Sequence, residues 1–396
     1  MTYFRKQLGG WCVAAAAVLA FGSTALHAIC LQDVQPEGHG WVAQQQGQIG
    51  ARAGLVVKLD RGNIEVHGKV GLEQVEWTAR VHIRANSADA ARRHMSEAGV
   101  TVKEHGDAIE IHCDGSADVT VIVPAKLVQA TLRTDSGALI LTDVAAKASL
   151  ITDGGEIHAE RIAGQVQAQT GGGSIWMINS GRLGVQSKLE TGGGNIMVDA
   201  AEGDVDAESG GGNVLVTAAR GNLKLETGGG NVTVRQASGA LQLETGSGNV
   251  EVGDIGGAAT LETGGGTIRL ASAKGMVNAT TGAGAIDCRQ LGSGLKAQTG
   301  AGGVTAEYSR NARFVESKLE TGSGDITVYL PETLSAVIKL TADNPWGHTI
   351  RVDFPVIRMT SSHEDGDLRA EGVMNGGGPL LRAETANGSV ALLRTK

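Results

Sequence analysis

A threonine or serine followed by glycines returns every 18 residues at Thr191, Ser209, Thr227, Thr245, Thr263, Thr281 and Thr299. Thr134, Thr152 and Thr170 keep the same spacing ahead of it, and Thr321 follows after a longer interval. The extra residues fall near Ser180–Leu183 and Ser309–Phe314. A period this strict leaves few folds open. In the unit Gly221–Ala240, GNLKLETGGGNVTVRQASGA, the side chains of Leu223, Leu225, Val232 and Val234 alternate with Lys224, Glu226 and Thr233. That is the period-two pattern of strands with one buried face. Near copies are LETGGGNIMV from Leu189, AESGGGNVLV from Ala207, LETGSGNVEV from Leu243 and LETGGGTIRL from Leu261. Burying four aliphatic side chains returns less free energy than ordering one such unit costs, so no unit folds alone. Stacked units share hydrogen bonds and a core. The expected fold is therefore all-β, a right-handed parallel β-solenoid (β-helix) with coils of about 18 residues.

This pattern also accounts for the 60 glycines, which in a chain with little apolar sequence would signal low complexity. Gly228, Gly229 and Gly230 stand where the chain turns between two strands, a place expected to need positive φ and no side-chain bulk. Thr227 is expected to point inward and bond exposed backbone at this corner. Asn195, Asn213, Asn231 and Asn249 are expected to stack as an amide ladder on its far side.

The flanks differ from the array. Met1–Ala28 has the form of a secretory signal, with Arg5 and Lys6 ahead of an apolar run from Trp11 to Phe21 and cleavage expected after Ala25 or Ala28. The run is short for a membrane span, so no stable span is expected after cleavage. Ile29 before Cys30 is too large for a lipidation site. The expected location is outside the inner membrane: periplasm, cell surface or medium. Cleavage leaves Cys30, Cys113 and Cys288. Cys113 and Cys288 follow strand-face isoleucines and read as core residues, while a Cys30–Cys113 bridge stays open in an oxidising compartment.

Residues 29–54 lack steady periodicity and read as a linker or lead-in. Residues 55–130 read as a strand-rich entry and cap, with one short helix from Ala88 to Ala98 capped by Ser87 and stopped by Gly99. Regular coils are expected over 131–330. Residues 331–396 read as C-terminal coils and cap, with LLRAETANGSVALL as a final copy that puts Thr385 in the threonine position.

Several chemistries are disfavoured. A net charge of −8, with no basic patch interleaved with aromatics, argues against nucleic acid. The glycine runs precede strands, whereas a phosphate loop opens a helix, so no nucleotide cofactor is expected. Calcium-binding β-rolls carry aspartate where Asn231 and Asn249 stand, so no metal is expected. His105, His112 and Cys113 lie in a charged turn and a strand end and do not read as a metal site. No Ser/His/Asp arrangement has supporting context.

The outward position with most functional content is the row Glu190, Glu208, Glu226, Glu244 and Glu262. Stacked coils place neighbours about 4.8 Å apart, where two carboxylates repel by about 0.9 kcal/mol in water. Lys188 and Lys224 are expected to offset part of this and Asp206 to add to it. The row is a solvated stripe or a face for cations or a basic partner. Glycosidic cleavage needs two carboxyls made different by their surroundings, and these are equivalent by repetition, so no catalytic residue is assigned. Trp176 is expected to point outward, where it can stack on a sugar.

With GNIEV at Gly62–Val66, VIVPAKL at Val121–Leu127 leading into LRTDSGALIL, and NGGGPLLRAETANGSVAL at Asn375–Leu392, the chain resembles the toastrack-type "putative adhesin" family of bacterial domains of unknown function over residues 55–396. The resemblance implies a β-solenoid outside the cytoplasm and supplies no catalytic residues. The expected function is a non-catalytic exported scaffold, adhesin-like, whose partner is an envelope protein or a surface glycan. The alternative is a carbohydrate-binding or polysaccharide-cleaving β-helix.

Overall fold

The structure, a computed structural model, describes residues 28–31, 33–343, 347–361 and 367–395. The expected signal up to residue 27 and part of the turn at Asp343–Gly347 lie outside them, as does the side chain of Cys30. The chain divides into two compact units, one through Gly164 and one from Gln165. Each is a β-solenoid whose parallel strands give way to antiparallel ones. No helix among the described residues is long and apolar enough to cross a membrane.

In the first unit, within the strand-rich entry, the strand Ala108–Pro124 runs unbroken for 17 residues. Its first half pairs in parallel with Gly54–Arg61, which pairs on its other edge with Gln129–Ser136. Its second half lies between Ile64–Lys69, in parallel, and Gln74–Ile83, antiparallel. Ile109, Ile111, Val119 and Val121 from this one strand are fully buried. The helix Ala88–Ala98 begins as expected, with Ser87 Oγ accepting from the Ala90 N–H at 3.2 Å. It packs against the strands Gly40–Gly50 and Gln74–Ile83 and buries Ala91 and Met95. Residues 40–50, in the stretch that reads as a lead-in, pair antiparallel with Gln74–Ile83 along their whole length. Their glutamines hide the alternation. Gln45 shares the side of buried Ala43 and satisfies its polar group by accepting from the Val100 N–H at 2.8 Å.

The second unit stacks parallel strands in register at the period of the sequence. Leu223 faces Leu241 and then Ala259 in one sheet, and Val232 faces Val250 and then Ile268 in the other. These residues are buried, and the alternate ones face solvent. The threonines point inward as expected. Thr245 Oγ1 donates to Gly230 O at 2.8 Å and accepts from the Gly248 N–H at 3.2 Å, and the same pair of bonds recurs at Ser209, Thr227, Thr263 and Thr281. The asparagine ladder uses backbone donors: the Asn231 N–H donates to Asn213 Oδ1 and the Asn249 N–H to Asn231 Oδ1, each at 2.8 Å. Gly228, Gly229 and Gly230 do not take the left-handed conformation expected of them. Close stacking is the requirement instead. A Cβ on Gly266 would lie 2.0 Å from Gly248 O, while one on Gly265 would meet nothing within 4 Å.

The end of this unit departs from chain order. The final sequence copy, Leu380–Thr385, pairs directly with Ser317–Ser323, aligning Thr385 with Thr321. Ala336–Ala342, earlier in the chain, lies on its other edge and takes Leu368–Met374 and then Ile357–Ser361 as antiparallel neighbours. Both insertions fall between strands. The second brings Phe314 edge-on against buried Tyr308, with ring centroids 5.2 Å apart.

Candidate functional site

The register brings the five predicted glutamates into one row: Glu190 faces Glu208, which faces Glu226, then Glu244, then Glu262. Each lies between two inward residues, as Glu226 does between Leu225 and Thr227, and this alternation turns the carboxylates outward. One row over, Lys188 forms an ion pair with Glu190. That contact, helped by Asp206 and Glu208, raises the Lys188 ammonium above its ordinary range. Lys224 does not turn to Glu226; its Nζ lies 3.7 Å from Asp206 Oδ1 in the preceding coil. Asp206 is thus neutralised rather than adding to the acidic row, because the straight cross-coil reach suits the lysine stem. Glu208, Glu226, Glu244 and Glu262 have no ion-pair partner among the described residues.

The row continues through Thr280 and Gln298 to Glu320 and then Glu384. There it enters a cleft of about 980 Å³ that the sequence reading missed. Lys339, Asp343, Asp367, Arg369 and Arg382 also line it. Arg382 pairs with Glu384 at 2.5 Å and Arg369 with Asp367 at 3.0 Å. Partial burial, then the neighbouring carboxylates of Asp367 and Glu384, raise the Asp343 carboxyl above its ordinary range, against the pull of Arg369. Negative charge is in surplus here. One signal for the cleft was legible: Glu384 precedes Thr385 as Glu226 precedes Thr227.

Trp176 is not part of this surface. It lies in the strand Ile175–Ile178 of the other sheet, half-buried, in a row with Met197 and Leu215. His112 Nε2 lies 2.7 Å from Asp114 Oδ1, and burial pushes the Cys113 thiol up to about 11. Among the described residues no three His, Cys, Asp or Glu side chains are grouped to hold a metal ion.

Residues 199–342 match the family model described as Toastrack DUF4097, a domain of unknown function, which bears out the toastrack resemblance over that stretch. No curated protein matches the chain. Among solved structures, a "putative cell adhesion protein" from Clostridium sporogenes ATCC 15579 is aligned at 9% identity, over 93% of this chain and 100% of that one. Its TM-score of 0.15 is too low for the likeness to carry any structural argument.

Proposed function

We propose that the chain is a non-catalytic, adhesin-like scaffold of the bacterial cell envelope, exported and engaging a basic partner through its glutamate row. One observation carries the reading: Glu208, Glu226, Glu244 and Glu262 occupy four successive coils and have no ion-pair partner among the described residues. Neighbouring carboxylates at about the strand spacing repel by about 0.9 kcal/mol each in water. A partner with amines or guanidiniums at a similar rise relieves every pair at once. Such contacts are exposed and screened by salt, so binding through them is salt-sensitive and governed by complementarity along the row. The equivalence of the carboxylates, useful for a repetitive partner, is unsuited to acid/base catalysis.

The test compares the wild-type chain with the E226Q/E244Q/E262Q variant. Both are crosslinked in the native cell, and both are incubated with envelope fractions and envelope polysaccharide. The expected result is loss of most retention in the variant, salt-reversible retention in the wild type, and no new reducing ends. Equal retention of the two chains removes the glutamate row from the function. New reducing ends with either chain would favour the cleaving β-helix instead.

A further inference from the structure

Beyond the acidic row, the first unit holds a cleft of opposite character. It lies where the strand Gln74–Ile83 ends and the chain turns toward the helix, has a volume of about 1030 Å³, and is lined by residues including Arg61, Arg84, Trp41, His82 and Ser116. Pairing fixes much of its lining. Arg61 faces Ser116 in the parallel ladder, and Ser116 faces His82 in the antiparallel one, so guanidinium, hydroxyl and imidazole stand side by side on adjacent strands. Arg84 follows two residues beyond His82. Trp41 faces Ile83 from the neighbouring strand, and its indole Nε1–H donates to Ala85 O at 3.0 Å. That bond uses the one polar group of the ring and sets its orientation; Trp41, half-buried, shares the sheet face of Ile83 and lines the cleft at the strand end, where the chain passes on to Ala85.

Two carboxylates beside the cleft are already engaged. Glu37, which lines the cleft, pairs with Arg80, and Asp118 Oδ2 lies 2.9 Å from His82 Nε2. Among the described residues neither Arg61 nor Arg84 has an ion-pair partner. What the cleft adds is that two such guanidiniums line one concave surface in a chain of net charge −8. A guanidinium offers a planar fork that fits a carboxylate in two parallel bonds. An oriented indole offers a flat apolar face, and Ser116 and Asn86 offer small polar groups.

From this set we infer that the cleft binds an acidic oligosaccharide, with Arg61 and Arg84 taking the carboxylates of hexuronate residues and Trp41 stacking on a sugar ring. The volume is in the range of sites that hold a ligand of several rings. This site shares no residue with the glutamate row and does not depend on the function proposed for it.

The experiment titrates the full chain calorimetrically with a galacturonate tetramer, the same tetramer with its carboxylates reduced to alcohols, and a single-stranded DNA hexamer. The acidic tetramer is expected to bind at least roughly tenfold tighter than the neutral one. Arg61→Gln and Arg84→Gln, both at exposed positions, are each expected to weaken it by roughly tenfold. Trp41→Phe keeps a ring but loses the bond to Ala85, and is expected to weaken both tetramers alike. The E226Q/E244Q/E262Q variant is expected to bind the acidic tetramer like the wild type. Absence of binding, equal affinity for the two tetramers, tighter binding of the DNA, or an unaffected R61Q/R84Q double variant would each overturn the assignment.

Discussion

Thr245 is the side chain through which the coil-to-coil hydrogen bonding is most directly weighed. It is 1% exposed. Its hydroxyl donates to Gly230 O at 2.8 Å in the preceding coil and accepts from the Gly248 N–H at 3.2 Å in its own. Thr245→Val keeps the shape and the strand preference but strips both bonds, leaving a carbonyl and an amide without that partner. Each buried group so exposed costs about 1–3 kcal/mol, so the variant is expected to lose about 2–6 kcal/mol of local stability. Thr245→Ser keeps the hydroxyl and loses one methyl, worth about 1 kcal/mol. Ser209 shows that serine makes both bonds, at 2.8 Å to Gly194 O and 2.9 Å from the Gly212 N–H. The expected order is wild type, then serine, then valine. Stacked coils unfold by neighbour-coupled steps, which blurs a single denaturation midpoint. Amide hydrogen exchange at Gly248 and the flanking corners is the sharper assay. A valine variant exchanging as slowly as the serine variant refutes the reasoning and makes the threonine column a matter of packing alone.

Two further outcomes test the corners and the acidic end. Gly266→Ala is expected to force adjacent coils apart and cost about 3 kcal/mol or more, because the new Cβ meets Gly248 O at 2.0 Å. Gly265→Ala, with open space around it, is expected to change stability by no more than about 0.5 kcal/mol; denaturation midpoints of the pair decide. At Asp343 the folded carboxyl titrates above its unfolded value, so the folded state holds the extra proton and stability falls as pH rises from about 3.9 through the folded value. Asp343→Asn removes that loss. It is expected to raise the melting temperature at pH 7 and leave it unchanged at pH 3, and a lower melting temperature at pH 7 would refute the assigned cause.

The coils were legible because each position repeats its own reason. Leu225, Thr227 and Asn231 do one job each, and their equivalents 18 residues away do the same job, so the spacing alone fixes the register that Glu226 and Glu244 share. What stayed hidden depends on contacts between segments that do not resemble each other. The pairing of Lys224 with Asp206 is a choice between two carboxylates at similar reach, and pattern does not rank them. The polar strand Gly40–Gly50 is specified by its ladder with Gln74–Ile83, which hydrophobic alternation does not report. The placing of Leu380–Thr385 against Ser317–Ser323 passes over Ala336–Ala342, and chain order predicts the opposite.

The two clefts have a common cause in this failure of periodicity. In a parallel stack each outward residue neighbours the equivalent position of the next coil, so where that position repeats, as from Glu190 to Glu262, the surface along the row is uniform. Concavity and mixed charge require neighbours of unlike sequence. The large cleft of each unit lies where antiparallel strands join, at Gln74–Ile83 in the first and at Leu368–Met374 with Ala336–Ala342 in the second, whereas the hollow along the coils at Asp204, Lys224 and Gln242 is smaller, about 380 Å³. A repetitive partner therefore suits the coils, and a discrete ligand suits the places where the coils end. Transplanting the glutamate row onto further identical coils should lengthen the first kind of contact, in proportion to coil number, and leave the second untouched.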